Sequence, residues 1–252
     1  MTTIYRLMKS DFIKLKRTSF YWIHICVPLI GAFLFLWYFS FSLLSSTGKI
    51  QGYLESIALA YPVIIGIVTS MVVDQESMAG GFKEILGTEY GKGKCLISKV
   101  LILLLTGFLS TILAIGIFFI GFQYVLKQNL LPLNFYIYVI LIIFGSQIFL
   151  YLFHLWISFI LGNGGSIGIG IFESLISALM ITGLGDGIWQ WIPCSWGMRL
   201  INYFSANWVN GGIKSSEFFN FYVGIQNSVV LTILLAICFV IWFKFYEGRK
   251  YV

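Results

Sequence analysis

Six long apolar runs dominate the chain, at Phe20–Ser42, Ser56–Val73, Val100–Val125, Phe135–Leu161, Ser166–Gly183 and Phe218–Ile241. A helix needs about 20 apolar residues to cross the hydrocarbon core of a bilayer, and these runs reach or approach that length. They do not alternate polar and apolar residues as barrel strands do. The pattern predicts an all-α polytopic membrane bundle, a single domain over residues 1–252 with six transmembrane helices. A different pattern precedes the first run. Ile4, Leu7, Met8, Phe12 and Leu15 recur at spacings of three and four, with Lys9, Lys14, Lys16 and Arg17 around them. That spacing predicts an amphipathic helix within Met1–Ser19 lying at the membrane surface, its cations toward anionic headgroups.

Composition agrees. Of 252 residues, 59% are hydrophobic and 10% charged, against roughly 25% charged in soluble domains. The net charge of +6 belongs to loops rather than to a nucleic-acid surface. With six spans, Arg6, Lys9, Lys14, Lys16, Arg17, Lys83, Lys92, Lys94, Lys99, Lys244, Arg249 and Lys250 share one side, and Lys49, Lys127, Arg199 and Lys214 the other. The positive-inside rule puts the richer side, with both termini, in the cytoplasm of a cell membrane. Tyr21, Trp22, Trp37, Tyr38, Tyr124, Tyr136 and Trp242 fall near span ends, as interfacial aromatics do. The first run is a span with a long charged approach, not a cleavable signal. Cys26, Cys95, Cys194 and Cys238 are far apart and form no C-x-x-C pair, so neither a disulfide framework nor a metal site is expected. No arrangement of nucleophile, base and carboxylates suggests an enzyme, and no cofactor is expected.

The connector from Asp74 to Lys99 is the main polar interruption. Met78, Phe82, Ile85 and Leu86 are spaced to share one face of a short helix, with Asp74 and Glu76 at its N-terminal end. Gly80-Gly81 opposes that helix by about 1 kcal/mol per glycine. It signals either close backbone approach or a kinked loop. The later stretch Gly87-x-x-x-Gly91-Lys92-Gly93 lacks the spacing of a phosphate-binding loop, so no nucleotide site is expected in this chain.

The pattern Asp74-Gln-Glu76-x-x-Ala79-Gly80-x-Phe82-x-x-x-Leu86, followed by a basic patch and Lys99 at the next span, resembles permeases of ABC-2-type exporters. The likeness is closest to the lantibiotic-immunity permeases of Gram-positive bacteria, the E and G subunits of the epidermin, mutacin and nisin protection systems. It extends over the whole chain in length, span number, amphipathic N-terminal helix and long fifth-to-sixth loop. It implies that the connector carries a cytoplasmic coupling helix docking on a separate ATP-binding-cassette ATPase, present in two copies. Asp74, Glu76, Ala79, Gly80, Phe82 and Leu86 would form the docking element, with Phe82 and Leu86 entering the ATPase surface and Gly80 permitting close approach. Gly81 departs from the family pattern, which has a larger residue there. The resemblance further implies a second permease subunit, identical or related, and a lantibiotic-like antimicrobial peptide as substrate, expelled from the membrane. An ABC-2 permease for another amphipathic drug or lipid fits the same features. A stand-alone membrane sensor or assembly factor fits the spans but has no use for the long basic connector.

Two further features are chemical. Glu173 is a carboxylate deep within a span, where ionisable groups are costly. His154 sits in the preceding span. The glycine-rich turn Leu161–Gly165 is centred between Asn163 and Gly164, equidistant from both, so His154 and Glu173 are expected at one depth, facing each other or sharing a polar cavity, either as a gating or proton-sensitive pair or as a structural hydrogen bond tying the hairpin together. Gly164-x-x-x-Gly168 and Ser166-x-x-x-Gly170 predict close packing of the fifth span. The loop from about Leu184 to Glu217 holds Trp189, Trp191 and Trp196, expected as interfacial residues, an outer gate or a peptide contact.

Overall fold

The computed structural model describes residues 2–211 and 215–248. Met1, Lys214, Arg249 and Lys250 lie outside them. The described residues form eight α-helices: α1 (Thr2–Leu15), α2 (Phe20–Phe41), α3 (Ser46–Met78), α4 (Lys83–Leu86), α5 (Lys92–Ile120), α6 (Leu133–Met180), α7 (Trp196–Asn210) and α8 (Ser215–Lys244). A π-turn at Gly121–Val125 continues α5. Among the described residues, five helices are long and apolar enough to cross a membrane.

The fourth of these, α6, accounts for two of the six apolar runs. Its 48 residues would measure about 72 Å if straight, more than twice the bilayer core. The chain breaks at Gly162, with φ 74° and ψ −163°, a conformation reserved for glycine. His154 Nε2 then meets Glu173 Oε2 at 2.7 Å across 19 residues, where an unbroken helix would hold them about 28 Å apart. The limbs 133–161 and 163–180 therefore fold back on each other.

Helix α3 is the axis of the bundle and packs against both limbs of α6. Its contact with the second limb runs over small residues. A Cβ at Gly66 would stand 2.8 Å from the Ser166 carbonyl oxygen, and one at Gly170 would stand 2.6 Å from that of Pro62. Of the small residues noted in the sequence, Ser166 and Gly170 face α3, while Gly164 and Gly168 look into open space. Helices α2 and α8 flank the bundle, exposing residues such as Trp22, Phe33, Trp37, Ile233 and Ile237.

Helix α3 is longer than its apolar run. Charges that suggested loops are held inside the helix by partners. Lys49 is buried, giving hydrogen bonds to the Phe39 carbonyl at the end of α2 and to Gln128 Oε1, both at 2.8 Å. Glu55 Oε1 accepts from Gln51 and from Asn202 of α7. At the other end α3 runs on to Met78, and α5 begins at Lys92. The expected 74–99 connector is thus reduced to a short segment around α4.

Candidate functional site

At the end of the bundle that carries α1, five charged side chains from four helices converge. Lys99 Nζ of α5 donates to Glu76 Oε1 of α3 at 2.7 Å and to Asp11 Oδ1 of α1 at 3.2 Å. Ser98 Oγ donates to the other Asp11 oxygen at 2.6 Å. Lys14 of α1 reaches Glu76 at 3.2 Å and pairs with Glu84 of α4. Lys99 is 3% and Glu76 1% exposed, so these ions have left water and depend on one another. Glu76 Oε2 has no protein partner, and Glu76 is among the walls of a polar cavity of about 170 Å³, with Asp11, Lys14, Thr88, Tyr90 and Lys99. Burial works against the Lys14 charge, but the Glu84 and Glu76 carboxylates outweigh it and its pKa is raised. Its contribution to stability is full below pH 10.5 and is lost as pH climbs through the raised folded value.

The segment after α3 differs from the single short helix expected. Gly80, Gly81 and Phe82 all have positive φ, at 107°, 64° and 67°, which ends α3 and starts a one-turn α4. A Cβ at Gly80 or Gly81 would meet nothing within 4 Å. Backbone conformation, not close approach, therefore requires these glycines. Phe82 tolerates the left-handed region, unfavourable for a bulky residue, because its ring is buried at 1% exposure. It packs against Phe159 of α6 at 6.0 Å and Tyr246 beyond α8 at 5.7 Å. The expected common face is split. Met78 is 81% exposed while Phe82 and Ile85 are buried, and Leu86 packs partly against the core. Ala79, Gly80 and Gly81 form an exposed tip. Asp74 faces elsewhere, accepting a hydrogen bond from Asn163 in the α6 turn.

The network itself was not evident in the sequence. Glu76 and Lys99 were noted there separately, but the pairing of both with α1 through Asp11 and Lys14 was not. A carboxylate on the amphipathic helix, one residue from the apolar Phe12, was the available signal.

His154 and Glu173 come together within the bundle. His154 is fully buried, and Nδ1 lies 3.0 Å from Ser166 Oγ. Ser166 spends its own proton on the Gly66 carbonyl at 3.2 Å, so Nδ1 is the donor in that contact. The buried imidazole and the carboxylate thus meet as hydrogen-bonded partners, as polar groups in an apolar interior must. The contact also closes the α6 hairpin. We predict that His154→Ala and Glu173→Ala, combined in a double-mutant cycle of thermal stability, show a coupling of about 0.6–1.7 kcal/mol. Additive effects would exclude the tie.

At the opposite end Trp189 and Trp196 are fully buried, while Trp191 is 65% exposed. Trp196 Nε1 donates to the Gln190 carbonyl at 3.0 Å, and the Trp189 ring fills the space beside Gly224 of α8. Both fasten the loop to the bundle, leaving Trp191 as the accessible indole of the three. Arg199 holds the loop to the end of α6, donating to the Met180 and Thr182 carbonyls and to Asp186.

Among the described residues no cluster of His, Cys, Asp or Glu is fit to hold a metal, and all four cysteines are free. Residues 7–177 match the family model described as "ABC-2 family transporter protein". No curated protein and no solved structure gives a significant match. The matched region runs from α1 through the second limb of α6, taking in the charged network, the α3–α4 turn and the His154–Glu173 pair. The chain is a member of the ABC-2 transporter family, a membrane permease that works with an ATP-binding partner.

Proposed function

We propose that this permease serves an exporter that protects its cell against lantibiotic-like peptides, in a Gram-positive bacterium, with both termini cytoplasmic. It pairs with a second, identical or related permease and with two ATPase chains. The observation that carries the coupling part is the exposed tip Met78–Gly81, mounted on a turn whose neighbours are wired to α1 and α5. Met78 and the glycine backbone meet the ATPase. Glu76 and Phe82 work behind them, anchoring the turn to the ionic network and to the aromatic cluster of α6 and α8. Movement of the tip on ATP binding is passed to the end of α3 and shared with α1 and α5. The peptide part rests on the resemblance of the Asp74–Leu86 pattern and on spans with few charges, in a chain only 10% charged, which suit amphipathic cargo already in the bilayer. Trp191 offers that cargo an aromatic contact on the outer side.

Docking and anchoring separate experimentally. Met78→Asp changes an exposed side chain, so stability is expected to stay within about 0.5 kcal/mol while permease-dependent ATP hydrolysis falls at least severalfold. Phe82→Ala removes a buried ring and is expected to cost about 3–5 kcal/mol. Unchanged ATPase stimulation by the Met78 variant rejects the docking assignment. For the cargo, deletion of the gene is expected to raise sensitivity to a lantibiotic within a panel. Unchanged sensitivity across the panel rejects the peptide reading and leaves the alternative of another amphipathic drug or lipid.

A further inference from the structure

Glu55 is the acid at the other end of α3. It stands 21 residues before Glu76, about 32 Å along the helix, close to the roughly 30 Å thickness of a hydrocarbon core. The run Ser56–Val73 between them carries no charge. The two acids are matched differently. Glu76 is shared by two lysines, whereas Glu55 makes no ion pair among the described residues. Its company is neutral. Gln51 Nε2 donates to Oε1 at 2.9 Å, and Asn202 Nδ2 of α7 donates to the same oxygen at 3.1 Å. The cations closest to it in sequence on these helices are engaged elsewhere, Lys49 by the Phe39 carbonyl and Gln128, Arg199 by the Met180 and Thr182 carbonyls and Asp186.

Each amide turns an N–H to the carboxylate and so turns its carbonyl oxygen elsewhere. Gln51 Oε1, Asn202 Oδ1 and Glu55 Oε2 have no partner among the described residues, and none of the three is sealed from the surface. The side chains that carry them are half-buried. An amide oxygen lies about 2.2 Å from its own nitrogen, so both amide oxygens fall within about 5.3 Å of Glu55 Oε1. One uncompensated negative charge thus stands among accessible acceptors. Calcium takes roughly six to eight oxygens, more than this cluster holds. A primary ammonium brings three N–H donors and a positive charge, which match it. A phosphate joined to that ammonium, as in a lipid headgroup, would meet the carboxylate with Lys49 and Arg199 already engaged. A lysine side chain carries its ammonium on a bare hydrocarbon stem.

We infer that this cluster recognises a lysine ammonium of an amphipathic peptide, with Glu55 as the counter-charge and Gln51 and Asn202 as further acceptors. The site sits where the apolar run of α3 begins, so the peptide's apolar side chains remain in the bilayer while the ammonium reaches Glu55. The choice of a peptide as bearer rests on the proposed function; the ammonium chemistry does not.

The test uses the purified full-length protein in phosphatidylcholine nanodiscs without its ATPase. The probe is a synthetic amphipathic peptide of leucine, serine and glutamine with an acetylated N-terminus, one lysine and a neighbouring benzophenone residue. Its control carries trimethyl-lysine, which keeps the charge but has no N–H to donate. Cross-linked peptides are located by mass spectrometry. The lysine peptide is expected to label α3 and α7 around Glu55 and Asn202 about tenfold more than the control, equivalent to about 1.4 kcal/mol and near the lower figure for a hydrogen bond to a charged group. Glu55→Gln keeps the shape and an oxygen for both amide bonds, and is expected to bring the two peptides to parity, with elution and thermal stability checked. Equal labelling in the unmodified protein overturns the inference without relying on a variant, and is the result for a carboxylate that is only solvated. A lysine preference surviving Glu55→Gln also overturns it. So does loss of the preference when phosphatidylethanolamine replaces phosphatidylcholine, since a lipid amine then holds the site. Unchanged lantibiotic sensitivity on deletion, with the lysine preference intact, rejects the cargo reading and supports the site; raised sensitivity with parity here rejects the site and supports the cargo reading.

Discussion

Lys99→Met is expected to destabilise the purified protein by about 3–5 kcal/mol, because it strands two buried carboxylates without their shared cation. Lys99 Nζ is within 3.2 Å of Asp11 and 2.7 Å of Glu76. Lys14 is the remaining cation, and it is already engaged by Glu84. The compensating variant is informative. Lys99→Met with Glu76→Gln removes one charge of each sign from the interior and is expected to recover much of the loss, since a buried pair replaced as a unit is often near neutral. Thermal unfolding in a mild detergent, read by helical circular dichroism, measures both. A single variant within 1 kcal/mol of the parent would show that these ions are solvated and not interdependent. The α1 side gives a parallel readout. Protease accessibility of residues 2–15 should rise in the single variant, because Asp11 is then held by Ser98 alone.

The second large effect concerns the crossing of α3 with the second limb of α6. Gly170→Ala puts a methyl 2.6 Å from a backbone oxygen, and backbone cannot swing aside as a side chain can. Overpacking of this kind costs about 1–3 kcal/mol or more. Separation of the helices also stretches the bonds from Ser166 to Gly66 and from Ser174 to the Leu59 carbonyl, now 3.2 and 2.8 Å. Gly168→Ala on the same limb meets nothing within 4 Å and should be neutral or stabilising, as alanine is the better helix former. The comparison holds side-chain chemistry constant and varies only location. Equal melting temperatures for the two variants would refute the close crossing.

How far the sequence reaches can be judged from particular residues. The apolar runs set the class of fold, and the break at Gly162 falls inside the glycine-rich turn. The juxtaposition of His154 with Glu173 followed from counting outward from that turn, because helical rise is nearly constant. Helix ends were harder. Lys49 and Glu76 look like loop residues until their partners on other helices are known, and no local pattern names a partner 79 residues away. The Asp74–Leu86 element failed for a different reason. Helical spacing put Met78 and Phe82 on one face, but positive φ at three successive residues turned the chain between them. The doubled glycine carried that information, and of its two readings the kink is realised. Burial of Trp189 and Trp196 likewise depended on contacts with α8 and with their own loop, which composition does not encode.

The two sides of α1 answer to different surroundings. Arg6 and Lys9 are exposed, while Asp11 and Lys14 are drawn into the protein. Ionic strength discriminates between these sets. At 0.1 M salt the screening length is about 10 Å, which weakens the attraction of exposed cations to anionic headgroups and barely touches ions sheltered from water. A single helix of 14 residues is thus held by a salt-sensitive grip on one flank and a salt-resistant one on the other. With α1 at the membrane surface, as its amphipathic pattern predicts, lipid charge and ionic strength are expected to reach Glu76, and through it the end of α3, by way of this helix.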